Sequence, residues 1–168
     1  VLASGRFAPQ KDYPTLLRAF AKVRAQVGAR LIILGDGPLR PEIESLISEL
    51  KLNGSVELMG YVENTQDYYA RARVFALASR WEGFPNVLVE ALAAGVTAVV
   101  TDGKGASREI LEPILPDNIV PVGDVAALAE RIVASLKQTP ESERYRDSIR
   151  ERFDLPVIAN QYLNIEAC

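Results

Sequence analysis

Short apolar runs separated by longer amphipathic stretches recur along the whole chain, and this alternation restricts the fold more than any other feature. Val1-Leu2-Ala3-Ser4, Leu31-Ile32-Ile33-Leu34, Val56-Glu57-Leu58-Met59, Val74-Phe75-Ala76-Leu77-Ala78, Thr97-Ala98-Val99-Val100-Thr101 and the short pair Ile119-Val120 read as strands. Nearly continuous apolar runs suit strands covered on both faces, as in a parallel sheet. Between them the apolar positions fall at helical spacing. Leu16, Leu17, Phe20, Val23 and Val27 share one face after Asp12 and Pro14, and Gly28 reads as the stop. Ile43, Leu46, Ile47 and Leu50 share another, before the Asn53-Gly54 turn. A short helix is expected from Thr65 to Ala72, another from Pro85 to Ala94 with Gly95 as its stop, and a third around Ser107 to Leu111. Asp124 caps a helix carrying Leu128, Ile132, Val133 and Leu136. The tail from Pro140 is helical, with Phe153, Val157, Ile158 and Tyr162 docking. The pattern predicts an α/β chain: a Rossmann-like, doubly wound parallel sheet of about six strands with helices on both faces.

With 168 residues, 48% of them hydrophobic, the chain fills one core and is too short for two ordinary domains, so residues 1–168 are expected to form a single domain. Nineteen basic residues against 22 acidic ones give a net charge of -3, which argues against nucleic acid as a partner; a bound phosphate must be met locally. A single cysteine, Cys168, suits a reducing compartment, and no apolar run is long enough for a membrane span. The cytoplasm is the expected location. The chain starts inside a strand without an initiator Met, so a fragment of a longer protein is expected.

In open parallel sheets ligands sit beyond the carboxyl ends of the strands, where strand order reverses. Gly5-Arg6, Gly35-Asp36-Gly37, Gly60-Tyr61, Ser79 to Pro85 and Asp102 to Ala106 all follow expected strands and therefore share one rim. Arg6 and Lys11 are two cations on the first crossover loop, placed to clamp a diphosphate or simply to be solvated. Ser79-Arg80-Trp81-Glu82-Gly83-Phe84-Pro85-Asn86-Val87-Leu88-Val89-Glu90 sets two carboxylates across a loop-to-helix junction. Glu82 is read as free to reach into a cleft. Glu90 lies among apolar neighbours and wants a partner, for which ribose hydroxyls are suitable. The N–H groups of Gly83, Phe84 and Asn86, with the helix dipole behind them, offer a place for a phosphate. Gly35-Asp36-Gly37-Pro38 reads as a plain turn, and the Gly103 and Gly105 loop carries little signal by itself. No Gly-x-Gly-x-x-Gly follows the first strand, which counts against an NAD enzyme. Tyr61, Trp81 and Phe84 are aromatic residues at strand ends, suited to a nucleobase or to packing.

Gly5-Arg6-Phe7 with Gln10-Lys11, Gly35-Asp36-Gly37-Pro38-Leu39-Arg40, Gly60-Tyr61-Val62, Ser79 to Phe84, the Glu82-x7-Glu90 pair and Val122-Gly123-Asp124 together resemble the C-terminal, nucleotide-binding domain of a GT-B glycosyltransferase of the retaining family 4, glycosyl transferases group 1. The resemblance runs from Gly5 to about Tyr162. It implies one half of a GT-B fold, with a donor site for a UDP-, GDP- or ADP-sugar. In that site Arg6 and Lys11 bind the diphosphate and support its departure. Glu90 accepts from the ribose, and Glu82 with Gly83, Phe84 and Pro85 holds the sugar. Gly5, Asn86 and Val87 border the donor, and Tyr61 and Val62 border the base. It implies no metal and no cofactor, since cations and a helix terminus neutralise the diphosphate. It also implies an N-terminal domain, absent from the chain, that carries the acceptor site and the means of any peripheral attachment to a membrane. The acceptor is a carbohydrate or lipid-linked, and the isolated domain is expected to be inactive.

Asp12, Thr97, Ala106 and Ser107 depart from the family pattern, which favours Gly, Pro, Gly and Pro there. Two other readings compete. A non-catalytic nucleotide-binding module would not need Arg6, Lys11, Glu82 and Glu90 together. A sugar-nucleotide epimerase of the same fold would need a His, and the chain has none; a phosphorylase would need a pyridoxal phosphate lysine in another context.

Overall fold

The computed structural model describes residues 1–154. Six strands form one sheet: β1 (Leu2–Ser4), β2 (Leu31–Leu34), β3 (Val56–Gly60), β4 (Val74–Leu77), β5 (Thr97–Thr101) and β6 (Ile119–Val120). Their order is β3-β2-β1-β4-β5-β6 and every pairing is parallel, so strand order reverses between β1 and β4. The helices are α1 (Tyr13–Arg24), α2 (Arg40–Glu49), α3 (Gln66–Arg71), α4 (Asn86–Ala93), α5 (Ser107–Leu111), α6 (Val125–Lys137) and α7 (Ser142–Phe153).

The two-residue period of the strands divides the core into two layers. Ala3, Val74, Ala76 and Val99 point toward Leu16 and Phe20 of α1, Ile43 of α2 and Ile132 of α6. Leu2, Phe75, Leu77, Ala98 and Val100 point the other way, toward Tyr69 of α3, Leu88 and Leu92 of α4, Ile110 of α5 and Tyr145 of α7. Both faces of the inner strands are covered, which is why β2, β4 and the middle of β5 read as unbroken apolar runs, whereas the edge strand β3 carries Glu57 and a half-exposed Met59. The expected doubly wound α/β fold is the one observed.

Local chemistry fixes the helix ends. Asp124 accepts from the N–H groups of Ala126 and Ala127 at 3.0 and 2.9 Å, the expected cap of α6. Gly95, at φ +82°, follows α4; its N–H donates to the Leu92 carbonyl and that of Val96 to the Ala91 carbonyl, both at 2.9 Å, a Schellman closure. Pro85 is the N-cap of α4 rather than its first residue. Gly28 does not stop α1. The helix ends at Arg24 and unwinds through turns bonded to Ala21 and Val23, and Gly28 is not among the glycines with positive φ. In the tail, Tyr145 and Ile149 are the buried residues of α7, with Phe153 packed beside them; Val157, Ile158 and Tyr162 lie outside the described residues.

Gly95 also seats α7, because the Ser142 hydroxyl donates to its carbonyl at 2.7 Å. A methyl group on Gly95 would lie 2.7 Å from Ser142 Cβ and 2.9 Å from Arg146 Nη2. Gly95→Ala therefore combines left-handed strain with a clash and is expected to destabilise the fold by about 1–3 kcal/mol, read as a lower urea midpoint at unchanged m. An unchanged midpoint would contradict this account of the α4–α7 seam.

Candidate functional site

The crossover loops after β1 and β4 meet where strand order reverses, and an ion pair joins them. Lys11 Nζ lies 2.5 Å from Glu82 Oε1, with side chains only 14% and 8% exposed. The same carboxylate oxygen accepts from the Ser79 hydroxyl at 2.6 Å, while Gln10 Nε2 donates to Oε2 at 3.3 Å and to the Trp81 carbonyl at 2.8 Å. The Arg80 N–H donates to the Gln10 carbonyl at 2.8 Å, which closes the seam along the backbone. Glu82 is thus not free to swing into a cleft; its carboxylate is committed to the loop that carries Lys11. The lysine stem lies over Gly5, where an added Cβ would come within 2.8 Å of Lys11 Cε.

A third loop braces the second. Glu82 N–H donates to the Lys104 carbonyl at 2.8 Å, and Ala106 N–H donates to the Gly83 carbonyl at 3.3 Å. A side chain at Gly105 would drive into the Glu82 carbonyl oxygen, and one at Gly103 would come within 2.6 Å of the Ser79 oxygen. The glycines in this loop allow backbone to lie on backbone. Arg108 forks onto Asp102 at 2.9 and 2.7 Å, which ties the loop to α5 and holds the Asp102 carboxyl below its usual range. Gly35 serves the same purpose beneath Gly5: a Cβ there would strike the Gly5 carbonyl oxygen. The reading of residues 35–38 as a turn therefore stands, with loop contact as its added cause.

Beside the ion pair opens a cavity of about 450 Å³. Gly5 and Arg6 from the first loop, Tyr61 and Val62 after β3, and Val87 and Glu90 on α4 all line it. Arg6 is exposed and makes no ion pair among the described residues; Tyr61 is 84% exposed, the most of any large apolar side chain among them. Glu90 has an internal partner that the sequence did not reveal: the Tyr69 hydroxyl donates to its Oε2 at 3.1 Å and lies 3.3 Å from the Val87 carbonyl. Burial, then the charge of Glu90 and the hydrogen bond to it, pushes the Tyr69 hydroxyl far above its ordinary value, so it stays a donor at neutral pH. Tyr13 is likewise pushed up, by burial and then by the charge of Glu82, and donates to the Gly5 carbonyl at 2.9 Å.

The other candidate residues divide. Gly5, Arg6, Tyr61, Val62, Val87 and Glu90 come together on the cavity, and Lys11 and Glu82 form the adjoining pair. Phe84 packs edge-on against Phe153, centroids 5.6 Å apart, and Pro85 is buried. The Asn86 N–H donates to the Phe84 carbonyl at 3.0 Å and is not available to a phosphate, whereas those of Gly83 and Phe84 find no acceptor among the described residues. Asp12 sits at φ +44°, a left-handed position that explains the family's preference for Gly; here its side chain accepts from the Thr15 N–H and caps α1. Gln10, Ser79 and Tyr69 are the supporting residues that sequence reasoning missed. The first two lay inside quoted motifs, and the Tyr68-Tyr69 doublet gave no sign of its direction.

This architecture defines a Rossmann-type domain with a cation-bearing cavity at its switch point, the place where such sheets take nucleotides. The chain belongs to the glycosyl transferases group 1 family, whose model matches residues 1–138. It is 33% identical over 166 residues to the N-acetylgalactosamine-N,N'-diacetylbacillosaminyl-diphospho-undecaprenol 4-alpha-N-acetylgalactosaminyltransferase of Campylobacter jejuni, covering 97% of this chain and 45% of that protein. It is 31% identical to the N-acetyl-alpha-D-glucosaminyl L-malate synthase of Bacillus anthracis, covering 95% of this chain and 42% of the relative. The chain therefore spans less than half the length of these relatives. Its fold matches GT-B glycosyltransferase domains; the structure of Anabaena HepE with UDP and glucose superposes with a TM-score of 0.86 at 22% identity, covering 99% of this chain and 47% of that one.

Removing one member of the Lys11–Glu82 pair leaves the other buried and uncompensated. Lys11→Met is expected to cost about 3 kcal/mol in urea denaturation, and adding Glu82→Gln should restore more than half of that. Additive losses in the double variant would show that the two side chains are not coupled.

Proposed function

We propose that this chain is the donor-binding domain of a retaining family 4 glycosyltransferase, which transfers a hexose from a nucleoside-diphosphate sugar to a carbohydrate or lipid-linked acceptor. The observation that carries this reading is the convergence of Arg6, Tyr61, Val62, Val87 and Glu90 on one cavity of about 450 Å³ beside the Lys11–Glu82 pair. That volume suits a nucleotide. Tyr61 and Val62 would face the base, and Glu90, held by Tyr69, would accept from the ribose hydroxyls. Arg6 and Lys11 would meet the diphosphate. As the bond between the anomeric carbon and the diphosphate oxygen breaks, negative charge grows on the leaving group, and fixed cations stabilise that state more than the ground state. Glu82 Oε2, with only the long bond from Gln10, is the carboxylate oxygen left for a sugar hydroxyl. Charge neutralisation by these side chains makes the proposed transfer independent of metal and of any cofactor.

The likeness to a transferase whose name includes a diphospho-undecaprenol acceptor supports a lipid-linked acceptor, and the UDP and glucose in HepE support a UDP-hexose among the UDP, GDP and ADP donors. The proposal includes an N-terminal domain that completes the cleft, and without it the chain is expected to bind donor but not to transfer sugar. No helix among the described residues is long and apolar enough to cross a membrane. We place the enzyme in the cytoplasm, with any peripheral contact with the inner face of the membrane made by the N-terminal domain.

Calorimetric titration of the chain with UDP, GDP and ADP is expected to give binding by one of them with a Kd of about 10–100 μM, and Glu90→Ala should weaken it by about 1–3 kcal/mol. A folded chain that binds none of the three would sink the donor-site reading. An unchanged affinity in Glu90→Ala would remove Glu90 from it.

A further inference from the structure

We propose that Tyr69 is a positioning residue of the cavity at the switch point: its hydroxyl holds one oxygen of the Glu90 carboxylate and leaves the other for a ribose, which makes the domain select ribonucleotides over their deoxy forms. Tyr69 belongs to α3, is only 1% exposed and does not line the cavity, so it cannot touch a ligand itself. It acts through Glu90, which lines the cavity from the second turn of α4. The inference rests on the donor-site reading of that cavity.

Glu90 is half-buried and makes no ion pair among the described residues. The bond from the Tyr69 hydroxyl to Oε2, at 3.1 Å, is the one hydrogen bond its carboxylate accepts among them. Oε1 accepts none and is not closed off, so its donors must come from the cavity. A tyrosine placed for packing alone would not need the carboxylate. Its ring packs on Phe75 with centroids 6.0 Å apart, as a phenylalanine could, and the Val87 carbonyl at 3.3 Å would satisfy the hydroxyl. The hydroxyl has one proton to give, and the nearer, charged acceptor takes it. Burial first, and then the charge of Glu90, keeps that proton in place.

The same residue ties together two walls of the cavity. Tyr61, Val62 and Thr65, on the segment that leads into α3, line one side, and Val87 and Glu90 on α4 line another. The Tyr69 N–H donates to the Thr65 carbonyl at 3.1 Å, while its hydroxyl reaches Glu90, so one side chain sets the base wall against the ribose wall. Without the hydroxyl, the Glu90 side chain keeps its rotamer freedom and must lose it when a ligand binds. A ribose offers hydroxyl donors to Oε1, whereas a phosphate offers none and would meet a like charge. Removing a ribose hydroxyl therefore costs affinity only while Glu90 is held in place.

The probes are UDP, GDP and ADP, each with its 2′-deoxy and 3′-deoxy forms, titrated by calorimetry into the 168-residue chain and into Tyr69→Phe, which keeps the ring and loses the hydroxyl. In the unaltered chain the nucleotide that binds is expected to bind about tenfold more tightly than at least one of its deoxy forms. In Tyr69→Phe that ratio should fall to about twofold, because the ribonucleotide weakens and the deoxy form does not. Adding Tyr69→Phe to Glu90→Ala should change affinity by less than about twofold, since the hydroxyl acts through the carboxylate. A packing role would weaken all forms alike, and in both backgrounds. One readout needs no substitution: the Cζ resonance of Tyr69 in the unaltered chain should move with the ribonucleotide and less with its deoxy form. The proposal is overturned if no deoxy form binds more weakly, if Tyr69→Phe, folded by circular dichroism, keeps the full ratio, if its effect persists without Glu90, or if the Cζ resonance responds equally to both forms. Any of these, with a ribonucleotide still bound, leaves the donor-site reading standing, whereas binding by none of the three ends both.

Discussion

A half-buried ammonium and a buried carboxylate, Lys11 and Glu82, join the loops that leave β1 and β4, and the geometry of the rim depends on that pair. In a parallel sheet these loops diverge, each turning into a helix on the opposite face, so the crevice between them has no covalent bridge. The ion pair supplies a non-covalent bridge, with Ser79 and Gln10 completing the hydrogen bonds that a buried carboxylate needs. The glycine-bearing loop after β5 then lies against the backbone of Glu82 and fixes the pair from the other side. The cavity at the switch point opens beside this seam, walled by the first loop, by the segment after β3 and by α4.

The inner strands were legible because both their faces are covered, which leaves apolar runs whose signal does not depend on register; the edge strand β3, with Glu57 and a half-exposed Met59, is the exception. Helix starts marked by Asp12 and Asp124 were legible for a local reason, since a cap is a contact between near neighbours in sequence. The end of α1 was not, because Gly28 invited a stop that the chain makes earlier by unwinding after Arg24. Arg6 and Glu82 could be placed on one rim because each directly follows an expected strand. The hydrogen bond from Tyr69 to Glu90 could not, since it depends on how closely α3 approaches α4. For the same reason Glu82 was read as free, when its partner is 71 residues away in sequence.

Asp12 shows how one departure from a family pattern reshapes a site without removing it. A left-handed position that suits Gly is occupied here by a residue that tolerates it, and the added carboxylate both caps α1 and pairs with Arg80. The consequence is local chemistry that a Gly would not supply, beside the seam that joins the loops after β1 and β4.

The central claim is that a nucleoside diphosphate occupies the cavity at the switch point between β1 and β4. Backbone amide chemical shifts of the isotope-labelled chain, recorded as UDP is added, test it most directly. The account predicts that the largest changes fall on Gly5, Arg6, Tyr61, Val62, Val87 and Glu90. Changes confined to the opposite end of the sheet, around Arg30, Arg71 and Arg73, would contradict it.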